Sequence, residues 1–158
     1  MVVSGRAETP VERGTFGDFY RLELDAQVRR AVLLLGSNAS ANDVVHDAFI
    51  EVFRRWDTLE DPGPYLHTTV LNGCRGMHRK RSRHLRLLPR FVDRDAPDPD
   101  EHLDDLLAAL PFNQRAAVVL RFYGGLTTEE IALELGCAAG SVGPWINRAL
   151  ATLRKALR

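Results

Sequence analysis

The chain has 158 residues, 45% of them hydrophobic and 27% charged, and its 21 basic and 21 acidic side chains cancel to a formal net charge of zero. That composition excludes a disordered or fibrous chain, and no apolar run approaches the ~20 residues of a membrane-spanning helix. The N-terminal MVVSGRAETPVERGT has no apolar core of signal-peptide length, so a cytoplasmic protein of one or two small domains is expected. Cys74 and Cys137 are far apart in sequence and read as reduced, packed thiols rather than a disulfide framework.

No strand signal competes with the helical ones, so the fold class is all-α. After a tail of residues 1–15, Phe16, Phe19, Tyr20, Leu24, Val28, Ala31, Val32 and Leu35 form one apolar stripe ended by Gly36-Ser37. A second helix is expected from about Ala41 to Asp57, with Ser40 as its cap. Its buried stripe is Val45, Ala48, Phe49, Val52, Phe53 and Trp56. Asp43, Asp47 and Glu51 make an acidic line on another face. The Pro-Gly content of Asp57–Gly63 marks a loop. Pro64 then opens a helix with Leu66, Val70, Cys74 and Met77 on its apolar side. Thr68, Asn72, Arg75, Arg79 and Arg83 lie on its polar side. No acid occurs between Pro62 and Val92, a stretch that holds Arg75, Arg79, Lys80, Arg81, Arg83, Arg86 and Arg90. Such a concentration of positive charge is an electrostatic footprint for phosphate.

Residues 87–100 read as an acidic, flexible linker, because their prolines and aspartates bury nothing. Helices over His102–Leu110 and Asn113–Tyr123 follow, then Gly124-Gly125. The stretch Leu126–Arg154 reads as a helix-turn-helix, a shape that places a helix in a DNA groove. Thr127 and Glu130 have capping-box spacing. Gly136 supplies the turn, and Val142, Ile146, Ala149, Leu150, Leu153 and Leu157 recur at helical spacing. Two small helical domains result, residues 16–86 and 101–158. Cys74 and His78 lie one turn apart, but two ligands do not make a metal site. With no Gly-rich phosphate loop and no supported nucleophile constellation, no catalytic, metal or cofactor site is expected.

The order of these features resembles the ECF-type (extracytoplasmic-function) sigma factors of bacterial RNA polymerase, whose regions 2 and 4 are helical domains separated by a flexible linker. Ala41–Phe49 (ANDVVHDAF) with Phe53-Arg54-Arg55-Trp56, Pro64-Tyr65-Leu66 with Asn72 and Arg79-Lys80-Arg81, Leu110-Pro111, Gln114-Arg115, Val119-Leu120-Arg121 and the helix-turn-helix carry the likeness. It covers about residues 16–158 and implies a non-enzymatic promoter-specificity subunit. Asp43, His46, Asp47 and Glu51 would then dock on the β′ clamp helices. The loop residues Thr58, Glu60 and Asp61, with Asn72, would handle extruded bases of the −10 element, and Arg75, Arg79, Lys80, Arg81 and Arg83 would hold its phosphates. Thr128, Ser141, Trp145, Asn147 and Arg148 would face the −35 element. Core RNA polymerase, including its β flap, promoter DNA and an anti-sigma protein are the implied partners, without membrane insertion.

Two features depart from the family's pattern. His46 stands where the family usually has Gln. Gly143-Pro144-Trp145 replaces a more basic helix entry, and Ala138 replaces the usual hydroxyl cap. Because proline in a helix interior loses a hydrogen bond, the second helix of the motif is expected to start near Ser141, or to kink. Trp145 fits packing within the domain or against a partner better than DNA contact. A second reading therefore stays open: a sigma-like regulatory module whose region 4 binds a protein rather than promoter DNA. An ordinary helix-turn-helix repressor is a third, and it leaves Ala41–Trp56 unexplained.

Overall fold

The computed structural model describes residues 14–85 and 99–158. Among them run α1 (Phe16–Leu35), α2 (Asn38–Arg54), α3 (Pro62–Leu85), α4 (Pro99–Ala108), α5 (Phe112–Val118), α6 (Thr128–Leu135) and α7 (Ala139–Ala156), and no strand. A π-helical turn, Val119–Tyr123, continues α5. The expected N-terminal tail and acidic linker fall almost wholly on 1–13 and 86–98, outside the described residues.

Thr15 caps α1 through a reciprocal capping box with Asp18. Several helix starts come earlier than the sequence suggested. Ser37, not Ser40, caps α2: its side chain accepts from the Ser40 N–H at 3.3 Å, so the helix gains a turn. α3 begins at Pro62 rather than Pro64, where the Asp61 carboxylate accepts from the Gly63 N–H at 3.2 Å and the prolines occupy the first turn. α4 likewise begins at a proline, Pro99, instead of His102.

α1, α2 and α3 pack around Ala31, Leu34, Val45, Ala48, Phe49, Val52, Leu66, Val70, Leu71 and Cys74, all essentially buried. α3 comes close to α2 at Gly73, where a Cβ would meet Val44 Cγ1 at 2.7 Å. Burial pushes the Cys74 thiol up to about 12, so it stays protonated and acts as a small apolar group. Phe53 departs from the expected stripe. It is 63% exposed, with the Phe16 ring edge-on to it at 5.0 Å, while Trp56 is half-buried. The stripe turns outward here because α2 ends at Arg54.

The second half, α4 to α7, buries Ala116, Ala117, Leu120, Ile131, Leu135, Val142 and Ile146. These belong to the same apolar cluster as the α1–α3 core. The two helical units are therefore packed together rather than merely tethered. Polar side chains stitch the seam. Arg115, 3% exposed, donates to the Leu34 carbonyl of α1 and, within its own half, to the Ala108 and Leu110 carbonyls at 2.7 and 3.1 Å. Arg30 of α1 reaches Glu134 of α6 at 3.7 Å, and His67 of α3 lies 3.6 Å from Glu23 and 4.0 Å from Glu134.

In the helix-turn-helix, the Thr127–Glu130 capping box forms and Gly136 adopts φ 65°, ψ 39°, the left-handed conformation that ends α6. The expected start of α7 near Ser141 is corrected. The helix begins at Ala139 with Ala138 at its cap position, no side chain caps it, and Pro144 lies inside it. Two features outweigh the proline. Val142, Ile146 and Ala149 are buried and must share one helical phase. Gly140 and Pro144 are exposed, so water can reach the Gly140 carbonyl that Pro144 leaves without a donor.

Candidate functional site

Three exposed faces carry the side chains singled out in the sequence. On α2, Asp43, His46 and Asp47 are exposed and Glu51 is half-buried. Glu51 is occupied by Arg54 at 3.0 Å and Arg55 at 4.0 Å, whereas Asp43 and Asp47 make no salt bridge among the described residues. Ile50 and Phe53, exposed by 37% and 63%, lie beside them. Asp43 and His46 also rim a cleft of about 780 Å³ between α1 and α2, floored by Tyr20, Leu24 and Val28, with Asp25 on the opposite side. This face offers carboxylates around an apolar floor, which suits a basic, partly aliphatic protein surface.

On α3 the basic run divides. Asn72, Arg79, Lys80 and Arg83 are exposed at spacings that place them along one face. Arg81 is used inside the fold, donating at 2.6 Å to the Leu35 carbonyl at the end of α1 and at 2.6 Å to Ser40 Oγ. Arg75 turns toward the second half, with its guanidinium 3.4 Å from the Leu135 carbonyl and over the Phe112 ring at 5.7 Å. In this arrangement the outward charge comes from Arg79, Lys80 and Arg83. Thr58, Glu60 and Asp61 are exposed in the loop before α3, where the Thr58 hydroxyl donates to the Arg55 carbonyl at 2.9 Å.

On α7 the outward face is Gly143, Pro144, Asn147 and Arg148, all exposed. Ser141 is half-buried. Trp145 is not on this face: it packs at the edge of the common core and lines the groove between the two halves. Thr128, at the start of α6, accepts from Arg121 at 2.6 Å. The outward face therefore has two side chains able to bond base edges, Asn147 and Arg148, within a small, smooth surface.

The groove between the halves, about 530 Å³, is lined by Arg75, His78 and Arg79 of α3, by Phe112 and Asn113 of α5, and by Trp145. The His78 ring lies 5.3 Å from that of Phe112. Burial, and then the charges of Arg115 and Arg81, hold His78 below the usual imidazole range. The unfolded chain thus takes up this proton first. The stability His78 contributes is fully present above about pH 6.5 and is lost as the pH falls through its lower folded value. The urea midpoint is expected to drop between pH 7.5 and 5, and His78→Asn should flatten the part of that drop that belongs to this residue.

What sequence reasoning missed is the seam. Gln27 and Arg30, 3% and 6% exposed, were not singled out, and Arg115 entered only within a family motif, without its role at the seam. The only sequence signal of Gln27 and Arg30 was helical phase, since each falls in step with buried apolar neighbours.

The chain matches the Sigma-70 region 2 family over residues 19–84 and the Sigma-70, region 4 family over residues 100–153. It is 33% identical over 153 residues to the RNA polymerase sigma-E factor of Streptomyces coelicolor, covering 90% of this chain and 85% of that one. It is 33% identical over 156 residues to the ECF RNA polymerase sigma factor SigE of Mycolicibacterium smegmatis, covering 89% and 60%. In fold it is similar to the sigma factor RpoE in its complex with the anti-sigma factor NepR from Bartonella quintana. The TM-score is 0.72 at 24% identity, over 90% of this chain and 96% of that one.

Proposed function

This chain belongs to the ECF-type sigma factors of bacterial RNA polymerase, and from that membership we propose which of its surfaces meets which partner. It is an alternative sigma factor, which binds core RNA polymerase and directs promoter recognition and transcription initiation. The exposed face of α2 docks on the β′ clamp helices through Asp43, His46, Asp47 and Glu51. The observation that carries this assignment is the pair of exposed carboxylates, Asp43 and Asp47, which make no salt bridge among the described residues and lie beside exposed Ile50 and Phe53. Asn72, Arg79, Lys80 and Arg83 track the −10 strand, with Thr58, Glu60 and Asp61 beside an extruded base. Arg75 and Arg81 join them where their internal contacts open. Asn147 and Arg148 read the −35 element, flanked by Ser141 and Thr128.

The division runs as region 2 over 16–86, linker over 87–100 and region 4 over 101–158. The protein works in the cytoplasm by binding rather than by covalent chemistry. An anti-sigma protein holds it in check, as the RpoE–NepR complex illustrates for that sigma factor.

The test is in vitro transcription with purified core polymerase. Reversing two exposed charges, Asp43→Lys with Asp47→Lys, is expected to weaken core binding by about a hundredfold, since like charges set against each other at an interface cost several kcal/mol. Arg148→Ala should leave core binding intact and lower promoter binding by about tenfold. Unchanged core binding by the double variant would overturn the α2 assignment. If Arg148→Ala leaves promoter binding unchanged while Trp145→Ala abolishes a protein complex, region 4 is a protein-binding module instead.

A further inference from the structure

The groove between the two halves has a chemistry that neither polymerase docking nor promoter reading requires. One wall is cationic: Arg75 and Arg79, one turn apart on α3, with His78 between them. The other is aromatic and apolar, with Phe112 at the start of α5 and the half-buried Trp145 of α7. Asn113 adds a neutral amide able to donate and accept. Among the described residues that line it, none is acidic. The size, about 530 Å³, lies within the range of small-molecule sites. Trp145 belongs to the departure from the family's usual helix entry.

We propose that this groove is a nucleotide-binding site, taking a free nucleotide whose base stacks against Trp145 and whose phosphates pair with Arg79 and with Arg75, which leaves the Leu135 carbonyl to do so. Guanidinium groups match phosphate oxygens in bidentate geometry. Aromatic faces accept any base by stacking, which sets the class of ligand without choosing the base. Burial, and then the charges of Arg115 and Arg81, disfavour the protonated form of His78, and a polyphosphate bound beside it would favour that form. Because α3 belongs to one half and Phe112 and Trp145 to the other, an occupied groove holds the halves together. It also engages Arg79, which the −10 strand would otherwise use, so the nucleotide and promoter DNA compete.

Trp145 is a natural reporter, since the chain has only one other tryptophan, Trp56, and that one lies in the aromatic cluster of α1 and α2. Titration of the full chain with adenosine or guanosine triphosphate should quench fluorescence saturably. Trp145→Phe should remove the quench while calorimetry still detects binding. Arg79→Gln, at an exposed position, should weaken binding about tenfold by removing one charge-assisted contact, and bound nucleotide should raise the pH at which His78 protonates. Absence of saturable binding by either triphosphate overturns the proposal. Equal affinity for inorganic pyrophosphate overturns the base-stacking role. Tight binding of a short single-stranded DNA with none of the free nucleotide assigns the groove to the promoter strand and overturns the free-nucleotide site.

Discussion

Arg115→Met is expected to destabilise the chain by about 3 kcal/mol, since three carbonyls in the seam each lose a donor at about 1 kcal/mol or more apiece. The guanidinium is 3% exposed and donates to carbonyls on two sides of the seam: Leu34 in α1, and Ala108 and Leu110 around the turn into α5. Methionine fills much of the same volume but donates nothing, so three carbonyl groups lose a donor where water has little access. The loss is not confined to region 4. Leu34 sits at the end of α1 beside Leu35, whose carbonyl is bonded by Arg81. Loosening Arg115 therefore also loosens the contact between the halves. Urea denaturation of the full chain followed by circular dichroism measures the first effect, and an energy-transfer pair placed on α2 and α7 reads the second. A midpoint within experimental error of the parent would show that the three carbonyls find other donors.

The opposite sign is expected at the entry of α7. Pro144→Ala should stabilise the chain by about 3 kcal/mol, the cost of proline within a helix interior. Gly143→Ala should add about 1 kcal/mol from helix propensity. Neither change meets an obstacle: both positions are exposed, and a Cβ on Gly143 has nothing within 4 Å. Alanine at 144 restores an N–H able to bond the Gly140 carbonyl. Thermal unfolding should show the double variant melting above the parent. A melting temperature equal to or below the parent's would mean that the chain already relieves the proline locally. The same pair of changes replaces two of the four residues on the outward face, so promoter binding measured in parallel tells whether glycine and proline serve DNA reading or only lower stability. Natural proteins commonly hold less stability at a working surface than the fold allows.

Much of the chain's design was legible from its linear pattern. The class, the order of helices, the capping box at Thr127, the turn at Gly136 and the two family blocks depend on spacing and local backbone chemistry. Those act between residues a few positions apart, so they are written in the order of the residues. The acidic face of α2 was legible for the same reason. Asp43 and Asp47 are one turn apart whatever packs behind them.

The seam, the fate of each arginine and the start of α7 were not legible, because each depends on groups distant along the chain. Arg75, Arg79, Lys80, Arg81 and Arg83 are alike in sequence. In the fold, Arg81 bonds Leu35 and Ser40, Arg75 turns to Leu135 and Phe112, and the other three stay outward. Propensity alone put the start of α7 after the proline's conflict, near Ser141. In the fold the helix begins at Ala139, with the exposed Pro144 inside it. Local rules thus set which helices form and which faces they present. Long-range packing set which charges stay free and that Trp145 lines the groove between the halves rather than the DNA-reading face.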